Sequence, residues 1–324
     1  MRGCWANDSE GNGLVRKRDL VCMDDWMTNV LVIRYDGARN GSEDADAGIG
    51  PRRQPQAHAS GRVESHSVIN TLTLPHASHY STVASYATMS TAAVVTPSAA
   101  DAKAYTASLV DAEQKAVEMF NEIPSLITVG MTEKALSDAI HHLGETKYGV
   151  RTHWHKRIIR SGPNTLRPFE DNPPDRTIEA DDILVIDLGP VFEKWEADFG
   201  RTYVLGDDPE KKAMVAALEP LWQRVKARFD ARPDMSGEEL YKIAQEETAK
   251  DGYDWGAPIA GHIVGHFPHE RIPRDKISLY IADGNGSTMA TTGKNGHKRH
   301  WILEIHARDK QGRYQGFFEQ LLTL

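Results

Sequence analysis

The fold is decided by residues 181–202, which read DDILVIDLGPVFEKWEADFGRT. The apolar string ILVI predicts a buried strand that ends at Asp187. Residues 192–195 and 202–205 are strand-like as well, and we expect them to pair around a turn at Asp198, so that Asp187 and Asp198 flank a hairpin. Either aspartate alone also fits a turn residue at a strand end. Together they would repel each other, and a cation between them is the simplest remedy.

Three more candidate metal ligands stand in apolar, strand-like contexts farther along the chain. His262 lies in the string GHIVG, Glu304 in LEIH and Glu319 in FFEQ. A buried carboxylate without a partner costs ~2–7 kcal/mol on transfer scales, so each glutamate needs a partner of opposite charge. A salt bridge to a nearby arginine is the alternative for either glutamate. The five residues together predict one dinuclear metal site, with the ligands Asp187, Asp198, His262, Glu304 and Glu319.

Composition excludes several classes of protein. The chain has 324 residues and a formal net charge of -8. It lacks the dense Lys/Arg stripe of a nucleic-acid-binding protein, and no stretch approaches the ~20 apolar residues of a membrane span. Its two cysteines are Cys4 and Cys22, so the rest of the chain holds neither a disulfide framework nor a thiolate zinc site. With no secretory signal at the N-terminus, these features predict a cytoplasmic protein.

The chain divides near residue 100. Residues 1–99 show no sustained helical or strand periodicity, which predicts a low-complexity, disordered extension. Residues 100–324 predict one metallohydrolase domain with helices first, then strands, then helices and strands again. This is an α+β order without regular βαβ alternation. The expected helix boundaries are a cap at Thr132 with a stop at Gly149, a start at Pro209, and a capping box from Ser236 to Glu239.

Further histidines suggest a substrate pocket beside the predicted metal site. Residues 261–270 read GHIVGHFPHE and hold three histidines, while residues 153–156 read HWHK. Convergent polar groups of this kind orient a short ligand, with histidines for a carboxylate and an acidic residue for an amino group. A solvated edge is the alternative for the HWHK string. The candidate substrate-binding residues are His153, His155, His266 and Glu170.

These motifs resemble metallopeptidase family M24, which includes methionine aminopeptidase, aminopeptidase P, prolidase and creatinase. The resemblance covers roughly residues 108–324, with two aspartates eleven apart and two key histidines, His262 and His269, seven apart. It implies the pita-bread fold. It also implies that Asp187 binds one ion, that Asp198 and Glu319 bridge both, and that His262 and Glu304 bind the other. His269 and Glu304 would be the catalytic residues, with His269 at the substrate.

The resemblance implies a hydrolase that uses two divalent ions, of which Mn²⁺ or Co²⁺ suits the oxygen-rich ligands best and Fe²⁺ or Zn²⁺ is an alternative. The ions would activate a water that attacks a carbonyl. We expect an aminopeptidase of Xaa-Pro type acting on short peptides, either as a monomer or as a homodimer. A small-molecule C–N hydrolase like creatinase is the closest alternative, and a metal-free binding module is a more distant one.

The chain departs from the family pattern around the predicted pocket. The family often has a histidine a few residues after the Ser161-Gly162-Pro163-Asn164 segment, whereas here LRPFE follows. His153 or His155 is a candidate substitute. The interval from His269 to Glu304 is also longer than usual. These departures concern the substrate more than the metal ligands.

Overall fold

The computed structural model describes residues 96–270 and 277–323, together with the backbone of Val32–Ile33. The predicted disordered extension therefore lies almost entirely outside the described residues. Within it, Val32–Ile33 form a two-residue strand, β1, parallel to residues 204–205. At the predicted boundary, Ser98 caps a helix that begins at Ala99.

Within residues 96–270 and 277–323, four α-helices and ten further strands follow. The helices are α1 (Ala99–Glu122), α2 (Glu133–Tyr148), α3 (Pro209–Ala231) and α4 (Gly237–Lys250). The strands are β2 (Ile158–Ser161), β3 (Ile183–Leu188), β4 (Val191–Phe192), β5 (Trp195–Glu196), β6 (Phe199–Leu205), β7 (Asp254–Trp255), β8 (Ile259–Val264), β9 (Tyr280–Ala282), β10 (His300–Arg308) and β11 (Gln315–Leu321).

The helix boundaries follow local capping chemistry. The Thr132 hydroxyl accepts a hydrogen bond from the Ala135 amide, and α2 ends at Gly149, which adopts the left-handed conformation at φ 68°. The Ser236 hydroxyl likewise accepts from the Glu239 amide at the start of α4. Pro209 opens α3 as predicted, and the helix continues through Pro220. The predicted starts are thus confirmed.

Among the described residues, nine strands form one mixed sheet. Its strand order is β2-β3-β6-β11-β10-β8-β9, with β1 beside β6 and β7 beside β10. The predicted hairpin between residues 192–195 and 202–205 is wrong. Phe192 pairs instead with Trp195 in the small β4–β5 hairpin, and β6 pairs with β3. Only two residues separate Phe192 from Trp195, so that turn closes locally and leaves β6 free to pair with the longer β3.

The two largest hydrophobic clusters of the described residues lie against the two halves of the sheet. Helices α1 and α2 pack on β3 and β6 through residues that include Ala116, Phe120 and Ile140. Helices α3 and α4 pack on β8 and β10, where the Trp222 indole also donates to the Leu303 carbonyl at 2.9 Å. Strands β6 and β11 join the halves at the centre of the sheet. Residues on these central strands are therefore held from both sides.

No helix within residues 96–270 and 277–323 combines the length and apolar character needed to cross a bilayer.

Candidate metal centre

A row of acidic side chains crosses the centre of the sheet. Asp187 on β3 pairs with Gly200 on β6, Gly200 pairs with Glu319 on β11, and Glu319 pairs with Glu304 on β10. Directly paired residues of neighbouring strands project from the same face. We call Asp187, Glu319 and Glu304 the carboxylate row. The strand pairing therefore brings Asp187 close to Glu304 and Glu319, which lie far from it along the chain.

Gly200 leaves the gap in this row that the packing requires. A Cβ atom at Gly200 would lie 2.2 Å from a ring carbon of Phe317. No side chain larger than hydrogen fits there without moving the aromatic ring.

Asp198 lies between two histidines. It directly precedes β6, and only 1% of its surface is exposed. Its Oδ1 is 3.0 Å from the Nε2 of His155, and its Oδ2 is 3.1 Å from the Nε2 of His262. Each carboxylate oxygen of Asp198 thus faces one imidazole, which is the arrangement that a bridging ligand needs.

Both imidazoles are fixed in the same way. The Nδ1 of His155 lies 2.7 Å from the carbonyl of Lys156, and the Nδ1 of His262 lies 2.8 Å from the carbonyl of Ile263. A hydrogen bond from one ring nitrogen to a backbone carbonyl sets the ring orientation and directs the other nitrogen toward the site. In both residues that other nitrogen is the Nε2 that faces Asp198.

Two oxygens of the carboxylate row have no hydrogen-bond partner. They are the Oδ1 of Asp187 and the Oε2 of Glu319, and both are buried. Burial raises the pKa of Asp187 to about 7, and burial together with the charges of Asp198 and Asp187 raises the pKa of Glu319 well above its usual value. These groups therefore resist ionisation unless a positive charge is present.

The pKa values of the neighbouring groups shift in the directions expected for closely spaced opposite charges. Burial alone would raise the pKa of Asp198, but His155 and His262 hold it below its usual value. Burial alone would lower the pKa of each histidine, but Asp187 and Asp198 raise that of His155 to about 9, and Asp198 and Glu304 raise that of His262 to about 9. Without an ion, protons on these two imidazoles supply the positive charge.

The donor atoms fit metal ions. Among the described residues, two triplets each bring one donor atom per residue to within 4.8 Å of one another. One triplet is His155, Asp187 and Asp198, and the other is Asp198, His262 and Glu319. They share Asp198, so the geometry suits two ions with a common carboxylate. Oxygen-rich donors with imidazole suit Mn²⁺, Co²⁺ or Fe²⁺, and Zn²⁺ also accepts them.

Glu304 lies at the other end of the row and is more fully supported. Its Oε1 is 3.6 Å from the Nε2 of His262, and its Oε2 is 2.8 Å from the Nε2 of His306. The Nδ1 of His306 in turn lies 3.3 Å from the side-chain Nε2 of Gln315. His306, which follows Glu304 by two residues on β10, therefore fixes one oxygen of this carboxylate and leaves the other facing His262.

His269 is oriented by a residue that the sequence analysis missed. The buried carboxylate of Glu196 lies 2.6 Å from the Nδ1 of His269 and accepts from the backbone amides of His269 and Gly265, each at 3.1 Å. The ring of His269 stacks beside that of His262, with 6.4 Å between their centroids. The signal for Glu196 was its place in an apolar hairpin, two residues before Asp198.

The candidate substrate-binding residues are dispersed. His155 lies in the carboxylate cluster itself. His153 is partly buried against His141, and burial lowers its pKa to about 3. His266 is exposed and lies edge-on to Trp195, and Glu170 is exposed. Of these four residues, the structure therefore brings His155 to the metal ligands, in a place where the sequence analysis expected a substrate contact.

Gly189 explains how His155 reaches this place. A Cβ atom at Gly189 would lie 2.3 Å from both the Nε1 of Trp154 and the Cδ2 of His155. The Trp154 amide also donates to the Gly189 carbonyl at 2.9 Å. The glycine two residues after Asp187 thus lets the segment that carries His155 lie directly against the end of β3.

Comparison with known proteins identifies the class that this fold and site define. A model described as metallopeptidase family M24 matches residues 107–295, and the chain belongs to that family. The match ends before Glu304 and Glu319, and their place beside Asp187 comes from the strand pairing described above.

Two curated relatives are Xaa-Pro dipeptidases. The protein from Pyrococcus furiosus is 33% identical over 147 residues, which are 44% of this chain and 41% of that protein. The protein from Lactobacillus helveticus is 26% identical over 145 residues, which are 44% of this chain and 39% of that protein. The chain thus spans about two fifths of the length of these relatives.

Solved structures share the fold. Dipeptidase PepE from Mycobacterium ulcerans superposes with a TM-score of 0.54 at 23% identity, over 71% of this chain and 56% of that one. The X-Pro aminopeptidase from Thermotoga maritima gives a TM-score of 0.53 at 20% identity, over 68% and 61%. The predicted α+β pita-bread fold is confirmed.

Proposed function

We propose that this protein is a hydrolase of short peptides that requires two divalent metal ions and prefers the Xaa-Pro bond. The observation that carries the proposal is the carboxylate row, in which buried oxygens of Asp187 and Glu319 have no hydrogen-bond partner while Asp198 faces one imidazole with each oxygen. Such a cluster is costly for the fold without a cation. This also argues against the metal-free binding module.

The residues of the row would hold the two ions. Asp187 would hold one ion and Glu304 with His262 the other, while Asp198 and Glu319 would contact both. When bound, the ions act as Lewis acids and make a water acidic enough to attack a peptide carbonyl at neutral pH. Mn²⁺ or Co²⁺ is our expectation for the native metal.

Glu304 and His269 would carry out the steps that the protein itself performs. Glu304 is placed to accept a proton from the attacking water and to pass it to the leaving nitrogen, because His306 holds its Oε2 and its Oε1 faces His262. Glu196 holds the Nδ1 of His269 and thereby orients the ring, whose Nε2 would face the oxygen that becomes negative as the carbonyl is attacked.

The preference for Xaa-Pro bonds is supported by relatives in the same family that are Xaa-Pro dipeptidases. The segment in which the family often has a histidine contains Phe169, whose ring lies 5.8 Å from that of His155. A C–N hydrolase of creatinase type is the second candidate because this segment differs from the family pattern.

A substrate panel tests the proposal. The full chain, loaded with Mn²⁺ or Co²⁺, is incubated with an Xaa-Pro dipeptide, an Xaa-Pro-Xaa tripeptide, a proline-free dipeptide, and guanidino and amide metabolites. We expect fastest hydrolysis of the proline peptides, and the first two substrates separate a dipeptidase from an aminopeptidase. Faster turnover of a guanidino compound supports the second candidate. A protein that holds two ions and hydrolyses none of these overturns both.

A further inference from the structure

We propose that His155 is a direct ligand of the ion held by Asp187 and Asp198, so that each of the two metal positions has its own imidazole. This inference rests on the dinuclear site proposed above. It adds a sixth ligand to the predicted set of five and gives His155 a different role from the substrate contact that the sequence suggested.

His155 and His262 occupy equivalent positions. Each has its Nδ1 on the carbonyl of the next residue, at 2.7 Å and 2.8 Å, and its Nε2 on one oxygen of Asp198, at 3.0 Å and 3.1 Å. His262 belongs to the predicted ligand set. The same contacts on the opposite oxygen of Asp198 place His155 at the other ion.

The surroundings of the His155 ring also favour a role as a metal ligand. Its Nε2 lies 3.4 Å from the Oδ1 of Asp187, which has no hydrogen-bond partner. The side chain is 6% exposed. One imidazole nitrogen and two carboxylate oxygens therefore lie together at the site, and these donor atoms are all within 4.8 Å of one another. Metal-binding histidines direct their second nitrogen to a carbonyl or carboxylate in this way.

A simpler reading makes His155 only a hydrogen-bond donor to Asp198. Because Asp198 faces both metal positions, loss of a residue that only orients Asp198 would weaken both ions alike. Loss of a ligand would weaken one ion and leave the other near its wild-type affinity. The two readings therefore make different predictions.

Equilibrium dialysis of the full chain against Mn²⁺ separates them. For the wild type we expect two ions per chain. For His155→Ala we expect one ion to remain near wild-type affinity and the other to weaken by more than about 100-fold, since loss of a residue that merely supports a ligand already costs 10–100-fold. His153→Ala is the matched control, because His153 lies on the same segment and packs against His141. It should bind two ions as the wild type does.

Unchanged binding of both ions by His155→Ala, or equal weakening of both, overturns the inference. A wild type that binds no divalent ion overturns the proposed function instead, so the two failures are distinct. A crystal structure of the Zn²⁺-loaded wild type makes the test independent of how well the variant folds. We expect the Nε2 of His155 at about 2.0–2.1 Å from one anomalous peak. A peak beside Asp187 with the Nε2 of His155 beyond bonding distance refutes the assignment.

Discussion

The two ends of the carboxylate row differ in how the protein supports them. At the Asp187 end, the Oδ1 of Asp187 has no hydrogen-bond partner and faces the Nε2 of His155 at 3.4 Å. At the Glu304 end, the Oε2 of Glu304 has its own partner in His306 at 2.8 Å. The protein thus leaves the first carboxylate to be satisfied by a cation and supports the second by itself.

This difference indicates a division of labour under the proposed function. A buried carboxylate oxygen without a hydrogen-bond partner is available to bind an ion. A carboxylate held by a hydrogen bond on one oxygen keeps its orientation while its other oxygen exchanges a proton. We therefore assign ion binding to the Asp187 end and both ion binding and proton transfer to the Glu304 end. The variants below test this assignment, from the largest expected effect to the smallest.

Asp198→Ala should impair metal binding at both ends of the carboxylate row, because Asp198 contributes to both. Its two oxygens face His155 and His262, and Asp198 belongs to both triplets of donor atoms. We expect loss of both ions and a fall in hydrolysis at least as large as the about 10²–10⁴-fold typical of losing a general base. Metal analysis after dialysis and initial-rate assays measure the two effects. Retention of two ions would show that Asp198 is not a bridge.

Glu304→Gln should affect turnover by about 10²–10⁴-fold, since the amide cannot accept the proton. Glu270→Gln is the control. The Glu270 carboxylate lies 2.9 Å from the Arg299 guanidinium and follows His269 in the chain without facing the row. We expect the control to be much milder in kcat. Near-normal rates for Glu304→Gln with both ions bound would show that Glu304 does not transfer the proton.

Glu196→Gln should have an intermediate effect. Glu196 positions His269 without touching the row, and losing such a supporting residue costs about 10–100-fold. Because His269 is assigned to the transition state, the loss should appear in kcat with KM little changed. The double variant Glu196→Gln/His269→Gln should be no worse than His269→Gln alone. Additive losses would separate the two residues.

Glu113→Gln should change stability and leave both ends intact. Burial raises the pKa of Glu113 to about 7, while its Oε1 accepts from the Leu321 amide at 3.0 Å. Since the folded pKa lies above the unfolded value of 4.5, the contribution of Glu113 to stability is greatest below pH 4.5 and is lost as the pH rises through 7. The variant should be the more stable protein at pH 8.5, by up to about 3 kcal/mol.

Urea unfolding at pH 5 and pH 8.5 measures this effect, with Mn²⁺ binding as the check that the row is undisturbed. A variant that gains no stability over the wild type at pH 8.5 would show that ionised Glu113 is not a burden to the fold. A change in metal binding would instead connect Glu113 to the row.

Much of the fold was accessible from local sequence. Caps at Thr132 and Ser236 and the stop at Gly149 were predicted because each rests on hydrogen bonds or backbone angles within a few residues. The predicted pairing of residues 192–195 with 202–205 was wrong, because strand-like composition does not identify the partner strand. In the structure, the two-residue turn after Phe192 closes a short hairpin. Strand-like composition alone does not distinguish this hairpin from a longer pairing.

The sequence by itself determined the family, the α+β fold and which carboxylates and histidine must meet. Apolar strands that each carry one charged residue leave those residues few other partners. Only the tertiary structure decided which further groups join them. His155 reaches Asp198 across 43 residues of chain, and Glu196 reaches His269 across 73. No local pattern encodes such distances, because they depend on the register of strands and on the close approach that Gly189 permits.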